Sequence, residues 1–261
     1  MQERIGQNWR EYFAEALGLG LFMISACTFS VLLFHPAYAP TGISQSLRLS
    51  LMGASMGVTA IAIFKSPFGK LSGAHINPAV TLTFWRLGKI RSTDATFYVL
   101  FQFIGATAGV LISWGALGAV LADSMVNFAV TIPNGSGPAV SFAAEFAISF
   151  GMMATVLVAS NHAGFSKFTP FVAGTLVAVY IAVESPISGM SMNPARTFGS
   201  AIFAGTWTGW WVYFAAPPLA MLAAAEIFLR LRGPHAVLCA KLDHDSSYRC
   251  IFNCAGGAST E

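Results

Sequence analysis

The residues of this chain best suited to chemistry are two copies of the triplet Asn-Pro-Ala. The triplets are Asn77-Pro78-Ala79 and Asn193-Pro194-Ala195, inside the matching ten-residue stretches SGAHINPAVT and SGMSMNPART. Asparagine is a favoured helix N-cap and proline a favoured first helical residue, so each triplet predicts a helix start. One triplet alone is typical of an ordinary turn or helix start. The repeat indicates instead that the two helix starts form one paired site.

The side-chain amides of Asn77 and Asn193 can act together as two neutral hydrogen-bond donors. A helix N-terminus presents free N–H groups and about half a positive charge. Two short helices that meet N-terminus to N-terminus would aim both amides at one point, where a water oxygen accepts two hydrogen bonds. The paired positive ends would repel cations and hydronium. This chemistry binds and orients a small neutral solute. We predict no catalytic residue and no cofactor, because the apolar stretches contain no nucleophile with a base and no metal cluster.

The composition of the chain identifies lipid as its natural solvent. Of 261 residues, 55% are hydrophobic and only 10% are charged, and the mean hydropathy is +0.65. A soluble domain carries about 25% charged residues, so this chain has too few to cover a water-facing surface. The net charge of +3 is spread along the chain rather than gathered in a patch. We therefore expect a lipid bilayer as partner, and no nucleic acid.

Six apolar stretches are long enough to cross a bilayer as helices, which takes about 20 residues. They cover residues 16–34, 49–64, 97–122, 140–159, 168–183 and 207–229. Two further apolar stretches carry the Asn-Pro-Ala triplets and are too short to span. Re-entrant half-helices are therefore expected over residues 76–86 and 193–204. The predicted fold class is an all-α membrane protein with six transmembrane helices and two re-entrant half-helices.

The order of these elements predicts an inverted repeat of three spans plus three. Three spans separate the two short helices, and an odd number of crossings places the helices on opposite faces of the membrane. The predicted halves are residues 1–122 and 123–232, followed by a C-terminal tail at residues 233–261. In proteins built this way the site lies near the midplane, between the halves.

The distribution of Lys and Arg predicts how the chain is oriented. With both termini in the cytoplasm, all 14 basic residues face inward except Arg48 and Arg196. The positive-inside rule favours this arrangement. We expect a multi-pass protein of the plasma membrane, the inner membrane of the cell, with both termini and the tail cytoplasmic.

The paired SGxxxNPA motifs, the six spans and the inverted repeat make the chain resemble the aquaporin, or major intrinsic protein, family. The resemblance covers roughly residues 10–232. It implies a passive pore that conducts water in single file, in a homotetramer with one pore per subunit. Thr197, Ala201 and the pair Tyr213-Phe214 stand where the glycerol-conducting branch has Asp, a basic residue and Pro-Leu. These positions favour the water-channel branch.

The resemblance also implies a constriction, or selectivity filter, on the extracellular side, where Arg196 donates hydrogen bonds to solute and repels cations. Its other members are expected to be Met190, Met56 and Ile181, with Tyr180 replacing Ile181 if the nearby loop contains an insertion. None of these is the histidine that many water-selective members carry. A broader channel for glycerol, hydrogen peroxide or similar neutral solutes is therefore kept as the alternative.

Two carboxylates, Glu15 and Glu145, stand near the corresponding starts of the first and fourth spans, each inside an apolar run. By the resemblance, they accept hydrogen bonds from the re-entrant loops, whose backbone has to be paired at membrane depth. A proton relay is the alternative role. His75, two residues before Asn77, either lines the vestibule of the pore or packs within the loop.

Glycines recur at helix-packing spacing in Gly53-xxx-Gly57 and Gly105-xxx-Gly109. Such pairs let two membrane helices approach closely, so close crossings are expected at both places.

The tail beyond Arg232 contains Cys250-xxx-Cys254 together with His235 and His244. This spacing is poor for a zinc site. We therefore expect a flexible tail and no metal site.

The predicted orientation is tested by an epitope tag fused after Glu261. In intact cells a membrane-impermeant antibody should label a control tag inserted in the loop at residues 36–44 and should miss the C-terminal tag. Permeabilised cells should show both tags. Labelling of the C-terminal tag in intact cells would contradict the orientation.

Overall fold

A computed structural model describes residues 2–135, 137–233, 235–243 and 248–254. These residues form nine α-helices: α1 (Gln2–Phe34), α2 (Gln45–Lys65), α3 (Pro67–Ser72), α4 (Pro78–Arg86), α5 (Ser92–Leu117), α6 (Gly137–Ser160), α7 (Thr169–Ser188), α8 (Pro194–Ala204) and α9 (Trp210–Arg232). In the described parts of the chain, six helices are long and apolar enough to cross a membrane. The predicted all-α, six-span class is confirmed. The spanning helices are α1, α2, α5, α6, α7 and α9.

The two short helices beside the Asn-Pro-Ala triplets are α4 and α8. They contain nine and eleven residues, and at about 1.5 Å per residue each covers about half of a bilayer core. Each begins slightly later than the sequence pattern suggested, because Asn77 and Asn193 lie outside the helix as N-caps. Pro78 and Pro194 then occupy the first helical position, where the missing N–H costs nothing.

The helices pack with a two-fold pattern. In the first half α1 packs on α5, and in the second half the corresponding helices α6 and α9 pack on each other. Helices α2 and α7, one from each half, also pack on each other. The short helices cross between the halves of the chain, since α4 contacts α9 and α8 contacts α5. Spanning helices of both halves, α5 and α9, therefore pack against the two short helices.

Both predicted glycine crossings are present and are close. A Cβ added at Gly57 of α2 would lie 2.7 Å from the carbonyl oxygen of Gly174 on α7. A Cβ added at Gly105 of α5 would lie 2.1 Å from the carbonyl oxygen of Ala16 on α1. These glycines bring backbone against backbone, which is how membrane helices gain contact without a hydrophobic driving force.

The described tail residues, 235–243 and 248–254, are folded against the body of the protein, so the expectation of a flexible tail is wrong for them. The N–H of Leu238 donates to Asn161 Oδ1 at 2.6 Å, and the N–H of Leu242 donates to the carbonyl of Gly73 at 3.2 Å. Asp243 is buried and pairs with Lys65 Nζ at 3.0 Å. The predicted candidate His244 lies outside the described residues.

Replacing Gly105 with Ala should destabilise the protein, because the new methyl group collides with the backbone of Ala16. Overpacking of this kind costs about 1–3 kcal/mol. Gly115→Ala in the same helix is the matched control, since its Cβ would meet nothing within 4 Å. The thermal midpoint of the detergent-solubilised protein should fall for Gly105→Ala only. Equal midpoints for the two variants would show that the crossing is not tight.

Candidate solute pathway

The backbone that leads into each short helix is unwound. Gly73 and Gly189 have φ angles of 86° and 82°. Beyond them Ala74 and Met190 are left-handed, with φ of 54° and 52°, although side chains disfavour this region. Residues 73–77 and 189–193, which we call the first and second loops, therefore cannot pair their N–H groups within a helix. In lipid those groups need partners from elsewhere in the protein.

Glu15 of α1 supplies the partners for the first loop. Its Oε1 accepts hydrogen bonds from Ser72 Oγ at 2.7 Å and from the N–H of His75 at 3.0 Å. Its Oε2 accepts from the N–H of Ile76 at 2.5 Å and from Gln102 Nε2 at 2.7 Å. The carboxylate is fully buried and its acceptor sites face four donors. Glu15 thus accepts the hydrogen bonds that hold the first loop in place.

Glu145 of α6 does the same for the second loop. Its Oε1 accepts from Ser188 Oγ at 2.7 Å and from the N–H of Ser191 at 2.6 Å, and its Oε2 accepts from the N–H of Met192 at 2.7 Å. It too is fully buried. The two carboxylates therefore hold corresponding atoms of the two loops.

The sequence reasoning missed three further groups that hold the loops. The hydroxyl of Tyr98 on α5 donates to the carbonyl of Ser72 at 2.7 Å, and the hydroxyl of Tyr213 on α9 donates to the carbonyl of Ser188. Gln102 bridges Glu15 and Thr81. A usable signal existed, because a lone Tyr or Gln inside an apolar span has to find a hydrogen-bond partner when buried.

Asn77 and Asn193 join the two loops directly. Asn77 Nδ2 donates to the carbonyl of Met192 at 2.7 Å, and Asn193 Nδ2 donates to the carbonyl of Ile76 at 2.8 Å. Each Oδ1 caps its own helix by accepting from the N–H of Ala79 or Ala195, at 2.8 and 3.0 Å. Helices α4 and α8 therefore meet N-terminus to N-terminus. Each amide has two N–H bonds, so one is left for a solute.

Both asparagines line a cavity of about 390 Å³ between the two halves of the chain. The four expected filter residues also line it: Arg196, Met190, Met56 and Ile181. Tyr180, the alternative to Ile181, instead has its hydroxyl against Gly151. Arg196 Nη1 is buried and has no hydrogen-bond partner among the described residues. A buried guanidinium N–H group without a partner is costly, so a hydrogen-bond acceptor is expected to meet it.

The wall of the cavity is rich in methionine. Of the ten methionines in the sequence, eight line the cavity in the described part of the chain: Met52, Met56, Met125, Met152, Met153, Met190, Met192 and Met221. The thioether side chain is flexible and polarizable, so it adapts to occupants of different shape. The wall is otherwise largely aliphatic, with polar groups concentrated at the loops.

His75 lies where the cavity meets the tail. Its ring is stacked between Phe84 and Phe252, with centroids 5.1 and 5.3 Å away. Its Nε2 lies 3.0 Å from the carbonyl oxygen of Ala240 in the tail. His75, in the first loop, and Leu242, in the tail, both line the cavity. The histidine is therefore both a wall residue and a packing residue, and the tail contributes to the wall at this end, which we call the tail end.

Six spanning helices, two half-helices joined at their N-termini and a cavity beside that junction define a helical membrane channel. The chain belongs to the major intrinsic protein family, whose model matches residues 3–228. It is 37% identical over 174 residues to Aquaporin NIP1-3 of Oryza sativa subsp. japonica, covering 66% of this chain and 59% of that protein. It is 32% identical over 201 residues to Aquaporin NIP2-3 of Zea mays, covering 76% of this chain and 65% of that protein.

The match thus spans less than two thirds of the length of these relatives. Among solved structures, the chain is similar to the aquaglyceroporin from Plasmodium falciparum, with a TM-score of 0.72 at 22% identity. That likeness covers 87% of this chain and 98% of the other, and it concerns the fold alone.

Replacing Glu145 with Gln should loosen the second loop, because an amide NH₂ then faces N–H donors where a carboxylate oxygen accepted them. Losing one charge-assisted hydrogen bond and leaving a donor unpaired costs about 3 kcal/mol. We expect a lower thermal midpoint in detergent. Glu226→Gln is the control, because Glu226 is partly exposed and pairs with Arg86 near the surface. If both variants melted like the wild type, Glu145 would not be holding the loop.

Proposed function

We propose that the chain is a passive water channel that excludes protons and ions. The observation that carries this proposal is the Asn77–Asn193 junction, where two neutral amides line a cavity between opposed helix N-termini. A water molecule there accepts hydrogen bonds from the free amide N–H groups and turns its own protons away along the file. No covalent chemistry is needed, and the proposal includes neither a catalytic residue nor a cofactor.

Exclusion of cations follows from the charges beside this path. The N-termini of α4 and α8 each carry about half a positive charge, directed at the junction. Arg196 adds a full positive charge to the wall, because it lines the same cavity. With Met56, Ile181 and Met190 it forms the proposed selectivity filter, in which its guanidinium group donates hydrogen bonds to passing solute.

The setting of the channel is also part of the proposal. The two-fold contact pattern supports a division into halves 1–122 and 123–232 with the tail after them. The distribution of Lys and Arg supports cytoplasmic termini in the plasma membrane. Large apolar side chains such as Val58, Ile112 and Val183 are exposed on the spanning helices, as lipid or subunit contacts require. A homotetramer, one pore per subunit, follows from family resemblance.

A broader channel for neutral solutes such as glycerol or hydrogen peroxide is the second candidate. The methionine-rich wall favours it, because flexible thioethers can move aside for a solute larger than water. The proposed filter is also mostly apolar, with Arg196 as its charged member. The two candidates differ only in filter width, so flux measurements with two solutes distinguish them.

Replacing Arg196 with Ala should widen the filter and remove its charge. Water flux should persist, since the asparagine pair is untouched, while glycerol flux should rise at least several-fold. Proton leakage should rise as well, because one of the electrostatic barriers is lost. The measurement is paired water, glycerol and proton flux in proteoliposomes.

Arg230→Ala, which removes an exposed arginine from the last turn of α9, is the control and should match the wild type. If Arg196→Ala also matched the wild type in all three fluxes, the filter would lie elsewhere. High glycerol flux through the wild-type chain itself would favour the broader channel.

A further inference from the structure

Three cysteine sulfurs meet in the tail, beyond the residues that the family model matches. Cys250 Sγ lies 3.6 Å from Cys239 Sγ and 3.2 Å from Cys254 Sγ. Cys239 and Cys254 are paired as a disulfide in the structure. Cys239 is buried, whereas Cys250 and Cys254 are partly exposed, so the cluster can be reached from solvent.

This donor set suits a soft metal ion. Thiolates select Zn²⁺ and Cu⁺ among the common metal ions. Zn–S bonds of about 2.3 Å place two sulfurs of a tetrahedral site about 3.8 Å apart. Cys250 Sγ lies at about this distance from Cys239 Sγ and about 0.6 Å nearer than this to Cys254 Sγ, and the disulfide-bonded sulfurs of Cys239 and Cys254 have to be reduced and move apart to bind an ion. A disulfide uses two of the three sulfurs, whereas a metal ion uses all three.

We propose that Cys239, Cys250 and Cys254 form a three-thiolate site for a thiophilic d¹⁰ cation, Zn²⁺ or Cu⁺. The proposal goes beyond solute conduction and rests only on the cytoplasmic placement of the tail. In that compartment thiols are kept reduced, which disfavours the disulfide and favours metal ligation. The poor spacing of Cys250 and Cys254 hid this site from sequence reasoning, because Cys239 completes it from eleven residues away.

The ion has a structural consequence, because the cysteines bracket two docked segments of the tail. Between Cys239 and Cys250, the carbonyl of Ala240 lies 3.0 Å from His75 Nε2, and Leu242 donates to Gly73 and lines the cavity. Between Cys250 and Cys254, Phe252 stacks on His75.

The N–H of Asn253 donates to the carbonyl of Lys89 at 2.9 Å, so the second segment is also anchored beyond His75. An ion that joins the three sulfurs fastens both segments together over the tail end of the cavity. Metal binding is therefore expected to stabilise the docked tail.

The test is metal binding by the purified, reduced, full-length protein in detergent. Equilibrium dialysis against Zn²⁺, and separately against Cu⁺ without oxygen, should give one ion per chain by elemental mass spectrometry. Competition between the two ions then identifies the preferred one. Each of Cys239→Ser, Cys250→Ser and Cys254→Ser should weaken binding by more than the roughly tenfold loss typical of an outer-shell partner. Cys27→Ser, in α1, is the matched control and should bind like the wild type.

A second readout is trypsin cleavage after Lys241 and Arg249. Bound metal should slow both cleavages in the wild type. It should not change the cleavage rates of the variant in which Cys239, Cys250 and Cys254 are all replaced by Ser. Because both cleavage sites lie in the tail, this result would report on the tail and not on the spans. Failure to bind either ion, or binding that survives the triple substitution, would overturn the site. So would a Cys239–Cys254 disulfide that persists in reducing buffer. These readouts need no flux measurement, so they are independent of whether the channel conducts water.

Discussion

Backbone that lies at membrane depth without forming a helix has to find its hydrogen-bond partners inside the protein, and this constraint organises the molecule. The first and second loops consist of such backbone, and two buried carboxylates accept hydrogen bonds from their N–H groups. Glu15 and Glu145 each accept hydrogen bonds from one serine hydroxyl and two backbone N–H groups. Because both carboxylates contact corresponding atoms, the loops take the same shape and present their asparagines in the same way.

The close helix crossings bring the carboxylates and the other hydrogen-bonding groups next to the loops. Gly105 lies one turn from Gln102 on α5 and lets that helix reach the backbone of Ala16, the neighbour of Glu15. The close crossing therefore places Gln102 and Tyr98 beside the carboxylate and the loop it holds. With the loops fixed, the asparagines exchange hydrogen bonds across the junction and keep one N–H each for the cavity. Packing, loop pairing and the solute path are thus successive consequences of the same constraint.

Local signals in the sequence were enough for the six spans and, to within two residues, for both short-helix starts, because N-capping by Asn and the fixed φ of Pro act within a few residues. They were not enough to choose between Ile181 and Tyr180, since successive residues of a helix point about 100° apart and only packing fixes which faces inward. Tyr98 and Gln102 went unnoticed because their partners are far away in the chain. The folded tail was missed for the same reason, since its contacts with His75, Lys89 and Asn161 are all long-range.

The central claim is that the asparagine junction passes water while its two helix dipoles stop protons. The most direct test measures osmotic water permeability and proton permeability on the same liposomes containing the wild-type chain, by stopped-flow light scattering and an enclosed pH dye. The account predicts water permeability that rises with the amount of protein, together with a proton permeability equal to that of empty liposomes. Water permeability no higher than in empty liposomes, or a proton leak that grows with the protein, would contradict it.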